Sequence, residues 1–88
     1  MAPRVGFLGA GYIATQHSKL LRFTGAEHER AGVHDLDPAR SEAFVAAAGG
    51  FVARSEDEVL DSCDAVFVCT WTSAHEAQVR RAVDAGVT

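Results

Sequence analysis

Gly9, Gly11 and Ala14 stand at G-x-G-x-x-A spacing, directly after the apolar run Val5-Gly-Phe-Leu8 and at the head of a helical pattern. Small residues placed this way allow a phosphate group to approach the backbone. Gly9 permits a tight turn out of a strand, and Gly11 leaves room for a pyrophosphate. Ala14 lets the following helix pack closely on that strand. Tyr12 and Ile13 open the helix, whose free N–H groups and positive dipole end would face the phosphates. A carboxylate, Asp35, follows at the end of the next apolar run, about twenty residues beyond the glycines, where it can accept a hydrogen bond from a ribose 2′-hydroxyl. Asp37-Pro38 comes directly after it, so Asp35 also reads as a turn aspartate. A carboxylate there repels a 2′-phosphate, which favours NAD, with NADP as the alternative. Arg40 is within reach of a 2′-phosphate from the next helix but reads more simply as a solvated surface charge.

A second group of residues is Cys69-Thr70-Trp71-Thr72-Ser-Ala-His75, after the most apolar run of the chain. Ligands of open α/β sheets bind outside the carboxyl ends of the strands, which puts Thr70, Trp71 and Thr72 on the same rim as the glycine turn. Trp71 has the shape to lie against a nicotinamide or a ribose, or to cover the domain's own core. His75 falls on the first turn of the next helix, where a histidine is commonly a surface residue. His17 reads as a packing or domain-contact residue, His28 as a loop residue and His34 as a strand end. No histidine pair has metal-ligand spacing supported by further ligands, so no metal is expected. No G-x-S-x-G elbow occurs and no Cys/His arrangement sets a nucleophile beside a base, so no catalytic residue is assigned.

These residues require an alternating series of strands and helices to position them. Val5–Leu8, Ala31–His34, Phe51–Ala53 and Ala65–Cys69 read as strands. The first helix runs from Tyr12 to about Phe23, with Ile13, Leu20 and Leu21 on one apolar face. The second starts at the Asp37 cap with Pro38 at its first position and stops at Gly49-Gly50. Ser55-Glu-Asp-Glu58 and Ser73-Ala-His-Glu76 have capping-box spacing, which predicts a short third helix and a fourth running to Gly86. The acidic run Glu56, Asp57, Glu58 and Asp61 reads as a solvated face. The unbroken apolarity of Ala65–Cys69 suits a parallel strand covered on both faces. With right-handed crossovers, the expected fold is α/β. It is a Rossmann-type parallel sheet with helices on both faces and its first four strands in the order 3-2-1-4. Val87-Thr88 would begin a fifth strand, so residues 1–88 read as an incomplete dinucleotide-binding domain with an exposed apolar edge and no substrate domain.

The composition agrees. Of 88 residues, 48% are hydrophobic and 23% charged, as in an ordinary globular domain. A net charge of −4 with no basic cluster argues against nucleic acid as a partner. No apolar run reaches membrane-spanning length, and the N-terminus lacks the layout of a signal peptide. Cys63 and Cys69 lack C-x-x-C spacing; Cys69 reads as a buried small hydrophobe, and a reducing, cytoplasmic setting fits.

The glycine motif, Asp35 and the Cys-Thr-Trp-Thr-x-x-His segment together resemble the N-terminal part of the Gfo/Idh/MocA oxidoreductases, which include glucose–fructose oxidoreductase and inositol dehydrogenases. The resemblance covers Val5–Ala14, the Val33–Arg40 turn, the Asp64–Thr70 strand and the His75–Gly86 helix. It implies cofactor-binding roles for Gly9, Gly11, Tyr12, Ile13, Asp35, Thr70, Thr72 and His75. Trp71 stands where many members have proline. The family pattern continues into a strand ending in Glu-Lys-Pro, whose lysine handles the substrate, and into a second domain with an Asp/His pair. None of these is in the chain, and Lys19 is no substitute for that lysine.

The resemblance thus implies a homo-oligomeric parent that transfers a hydride between a nicotinamide cofactor and a sugar- or inositol-like polyol, with this chain holding most of the cofactor half. The alternatives are a non-catalytic nucleotide-binding module or shortened product acting with a partner chain, and a methyltransferase using S-adenosylmethionine. The last lacks the pyrophosphate for which the glycine turn is shaped.

Overall fold

Strand β1 (Arg4–Leu8) is apolar enough to be buried along nearly its whole length, and it lies at the middle of the sheet. The computed structural model describes residues 2–70 and 72–88, with the side chains of 72–74 excepted. Around β1 run α1 (Tyr12–Phe23), β2 (Glu29–His34), α2 (Pro38–Ala48), β3 (Phe51–Val52), α3 (Glu56–Ser62), β4 (Ala65–Val68) and α4 (Thr72–Asp84). The four strands are parallel in the order β3-β2-β1-β4, as the alternating pattern predicts. No described helix is long and apolar enough to cross a membrane.

Two cores sandwich the sheet. On one face Val5, Phe7 and Val33 meet Ala14 of α1 and Phe44 and Ala48 of α2. Phe7, fully buried, lies 4.8 Å from Phe44 and 5.2 Å from Phe67 between ring centroids, and His17 stacks on Phe67 at 5.1 Å. The expected packing role of His17 is what the structure shows. On the other face Leu8 and Ala31 meet Val59 and Leu60 of α3 and Ala82 of α4. Helix α3 can press this closely because Gly6 and Gly32 present no side chain. A Cβ on Gly6 would come within 2.8 Å of Val59 Cγ1, and one on Gly32 within 3.2 Å of the Val59 backbone.

Capping chemistry fixes where the helices start. Asp37 accepts from the Ala39 N–H at 3.0 Å, with Pro38 next to it, and α2 ends at Gly49. Ser55 accepts from the Glu58 N–H at 3.1 Å, but the return bond to Glu58 comes from the Arg54 N–H (2.8 Å), one residue earlier than a capping box requires. The acidic run is not simply solvated, because Arg81 of α4 binds Glu56 and Asp57, each at 2.5 Å.

Two further expectations are corrected. Ile13 and Leu20 point outward, 53% and 60% exposed, and α1 turns Ala14 and Ser18 inward. Leu21, half-buried, does pack against the core, but where the helix lies closest to the sheet only small residues fit, which leaves Ile13 and Leu20 on its outer side. Strand β4 is only half-buried along its length. Val66 and Val68 face one core and Phe67 and Cys69 the other, so both faces are covered as expected, and the expected open edge is the side on which β4 bonds to the backbone of Thr88. There the Thr88 N–H donates to Asp64 and the Val66 N–H to Thr88, both at 3.0 Å. Ser73 lies inside α4, which begins at Thr72, and so does not precede the helix as a cap.

Candidate functional site

The carboxyl ends of β1, β2 and β4 are bound together around Gly9. Its N–H donates to the His34 carbonyl, and the Cys69 N–H donates to the Leu8 carbonyl, both at 2.7 Å. Gly9 has φ +94°, and a Cβ there would lie 2.7 Å from the Cys69 carbonyl oxygen and 3.1 Å from Thr70 Cγ2. Only glycine meets both conditions. Asp35, half-buried at the end of β2, accepts from the Ala10 N–H at 2.9 Å through Oδ2 and from the Asp37 N–H at 2.8 Å through Oδ1. It therefore does serve as a turn aspartate, and it also ties the glycine turn to β2. An ionised carboxylate has about four acceptor positions, so these two bonds leave capacity on both oxygens.

Gly11 differs from Gly9. It has φ −86°, in the extended region open to any residue, and an added Cβ would meet only Arg40 Nη1, at 3.7 Å. Neither backbone conformation nor packing requires glycine here. Helix α1 begins at this point with no side-chain cap and no acidic residue in its first turn. Helices α2 and α3, in contrast, each have a side-chain cap. The first-turn N–H groups of α1 are left for an anion, which the end of the helix dipole also favours. Tyr12 and Ile13 stand exposed on that turn, and Ala14 is fully buried beneath it.

Arg40, read from sequence as a solvated charge, is exposed and 3.9 Å from Asp37, yet it stands beside Gly11 at the mouth of a groove between α1 and α2. The groove, of about 290 Å³, reaches from Ala10 past Thr15 and Lys19. A larger hollow of about 480 Å³ lies along α4 and includes His75 but neither the glycine turn nor Asp35. His75 is half-buried, and its Nε2 is buried without a partner among the described residues.

Thr70 comes to the rim with the glycine turn, its methyl group against Gly9. Its hydroxyl donates to Oε1 of the buried Gln78, whose Nε2 donates in turn to Glu56. Sequence reasoning passed over Gln78; the available signal was a polar residue four positions before Ala82, on the inward stripe of α4. Trp71 and the Thr72 side chain lie outside the described residues. Cys69 is half-buried, with its thiol pushed up to about 11 by burial, so at neutral pH it is a protonated thiol and not a nucleophile. Among the described residues, no three His, Cys, Asp or Glu side chains converge as a metal site would require.

Residues 3–88 match the model of the Gfo/Idh/MocA oxidoreductase family, described as an NAD-binding Rossmann fold. The chain belongs to this family. It is 40% identical over 88 residues to an inositol 2-dehydrogenase of Cereibacter sphaeroides, covering 98% of the chain and 26% of that protein. Among solved structures, UDP-N-acetylglucosamine 3-dehydrogenase GnnA from Acidithiobacillus ferrooxidans superposes with a TM-score of 0.85 at 30% identity, over 99% of this chain and 28% of that one. The WlbA dehydrogenase from Bordetella pertussis, solved in complex with NADH and UDP-GlcNAcA, gives a TM-score of 0.88 at 26% identity, over 99% and 27%. The chain thus spans about a quarter of the length of the relatives it matches. What it shares with them is the family's NAD-binding Rossmann domain.

Proposed function

We propose that this chain is the cofactor-holding part of an oxidoreductase that moves a hydride between NAD and a carbinol carbon of an inositol- or sugar-like polyol. The observation that carries the proposal is Gly11, a glycine that its own fold does not need, placed where an uncapped helix start offers free N–H groups. A pyrophosphate accounts for both features. Gly9 shapes the turn, Gly11 leaves the space, and the first N–H groups of α1 hold the negative charge. When bound, the nicotinamide supplies the hydride chemistry, and the protein supplies position. Tyr12, Ile13, Thr70, Trp71, Thr72 and His75 complete the proposed contact set. The inositol 2-dehydrogenase relatives support a polyol substrate, and WlbA with NADH supports the cofactor class.

Asp35 favours NAD over NADP, since its remaining acceptor capacity suits a ribose 2′-hydroxyl and its charge repels a 2′-phosphate. Asp35→Ala also releases the Ala10 and Asp37 N–H groups, so the absolute loss of affinity mixes two causes. The ratio of the NADH and NADPH dissociation constants separates them, because a loosened turn weakens both cofactors alike. Titration of the two cofactors should show that ratio moving towards NADPH by roughly tenfold, the value of one hydrogen bond to a charged group. An unchanged ratio would leave Asp35 as a turn residue only.

A further inference from the structure

The bonds from Thr70 to Gln78 and from Gln78 to Glu56 fix a direction. Glu56 is paired with Arg81 at 2.5 Å and as a carboxylate can only accept. Gln78 must therefore turn its N–H₂ towards Glu56, which leaves its carbonyl oxygen facing Thr70. The Thr70 hydroxyl has one proton, and the Gln78 oxygen takes it. Gln78 is only 5% exposed, so water has little access with which to relax this arrangement. Thr70 is held from the other side as well, its Cγ2 lying against Gly9. What the hydroxyl of the half-buried Thr70 has left at the rim is acceptor capacity alone.

We propose that Gln78 is a positioning residue that makes the Thr70 hydroxyl an obligate hydrogen-bond acceptor, so that this hydroxyl meets an O–H or N–H donor of the cofactor and not a phosphate oxygen. This rests on the cofactor reading above and adds which cofactor groups the β4 end of the rim can recognise. A ribose hydroxyl and the nicotinamide carboxamide share the required chemistry. The phosphates are left to the glycine turn and the start of α1.

The test is a set of titrations on the full chain with NADH, ADP-ribose and inorganic pyrophosphate. Thr70→Val keeps the shape of the side chain and removes its oxygen. It should weaken NADH roughly five- to tenfold and leave pyrophosphate unchanged. An equal loss for ADP-ribose would identify the donor as a ribose hydroxyl, and no loss there would identify the carboxamide; either agrees with the proposal. Gln78→Met preserves length and packing but frees the Thr70 proton, and it should weaken NADH several-fold in the wild-type background and not at all when Thr70 is already valine. Circular dichroism checks that both variants fold. A pyrophosphate loss matching the NADH loss, or independent and additive losses for the two substitutions, would overturn the proposal. Failure of the unsubstituted chain to bind NADH would instead overturn the cofactor reading itself, and would be seen before any variant was compared.

Discussion

Gly11→Val should leave the fold standing and remove NADH binding. Its φ of −86° is compatible with valine, and the nearest atom to an added Cβ is Arg40 Nη1 at 3.7 Å, the end of a flexible exposed side chain. The stability change should stay within about 1 kcal/mol, the range of a weaker residue at a helix start. Affinity is a different matter, because the new methyl groups occupy the space through which a pyrophosphate reaches the first N–H groups of α1. Losing two hydrogen bonds to a charged group amounts to about 3 kcal/mol or more, at least roughly a hundredfold in Kd. Calorimetric titration with NADH and a circular dichroism spectrum of the same sample measure both effects. Gly9→Ala is the control: its positive φ and its 2.7 Å approach to the Cys69 carbonyl mean that it should damage the fold as well as the binding. Retained affinity in Gly11→Val would place the pyrophosphate elsewhere.

Phe7→Ala should have the largest effect on stability. The ring is fully buried in the middle strand, stacked on Phe67, tilted against Phe44, and covered by the Arg30 guanidinium 5.3 Å from its centroid. Its removal opens a cavity in the core shared by α1, α2 and the sheet, and such a truncation costs about 3–5 kcal/mol. It also takes the aromatic face from Arg30, whose Nε and Nη1 are already buried without partners among the described residues and whose pKa is lowered by burial and by Arg22 nearby. Domains of this size have a total stability of only about 4–13 kcal/mol, so the variant would keep little of it. The urea midpoint reports the loss, and Phe7→Leu should recover most of it. A change below about 1 kcal/mol for Phe7→Ala would mean that the aromatic column does not organise this core.

The order of the strands was readable because each strand–helix–strand unit can cross over in only one sense. The alternating pattern then leaves β1 in the middle with β4 beside it. The start of α2 was readable because Asp37-Pro38 has few other uses, and the glycine turn because its residues must be small at those spacings. The orientation of α1 was only partly readable, since Leu21 packs on the core as expected and Ile13 and Leu20 do not. Ile13 and Leu20 form an apolar stripe, and periodicity alone cannot tell a stripe that faces the core from one left on the outside. The cover on both faces of β4 and its open edge were legible together, since its apolar run has no polar face and it stands last in the strand order. The role of Asp35 was only half legible: its place at the end of β2 was clear, but its bond to the Ala10 N–H depends on the turn's path in space. Gln78 and Glu56 come together across two helices 22 residues apart in sequence, and no local pattern encodes that.

The proposed function requires this chain to hold a nicotinamide dinucleotide at the glycine turn, and titration of the unsubstituted chain with NADH tests that most directly. Saturable one-to-one binding with a Kd below about 1 mM, the upper end of ordinary cofactor and substrate affinities, is the predicted result. S-adenosylmethionine should fail to displace the bound NADH, and ADP-ribose should displace it. No saturable signal with NADH, or displacement by S-adenosylmethionine instead of ADP-ribose, would contradict the reading of Gly9, Gly11 and Asp35 as a dinucleotide site.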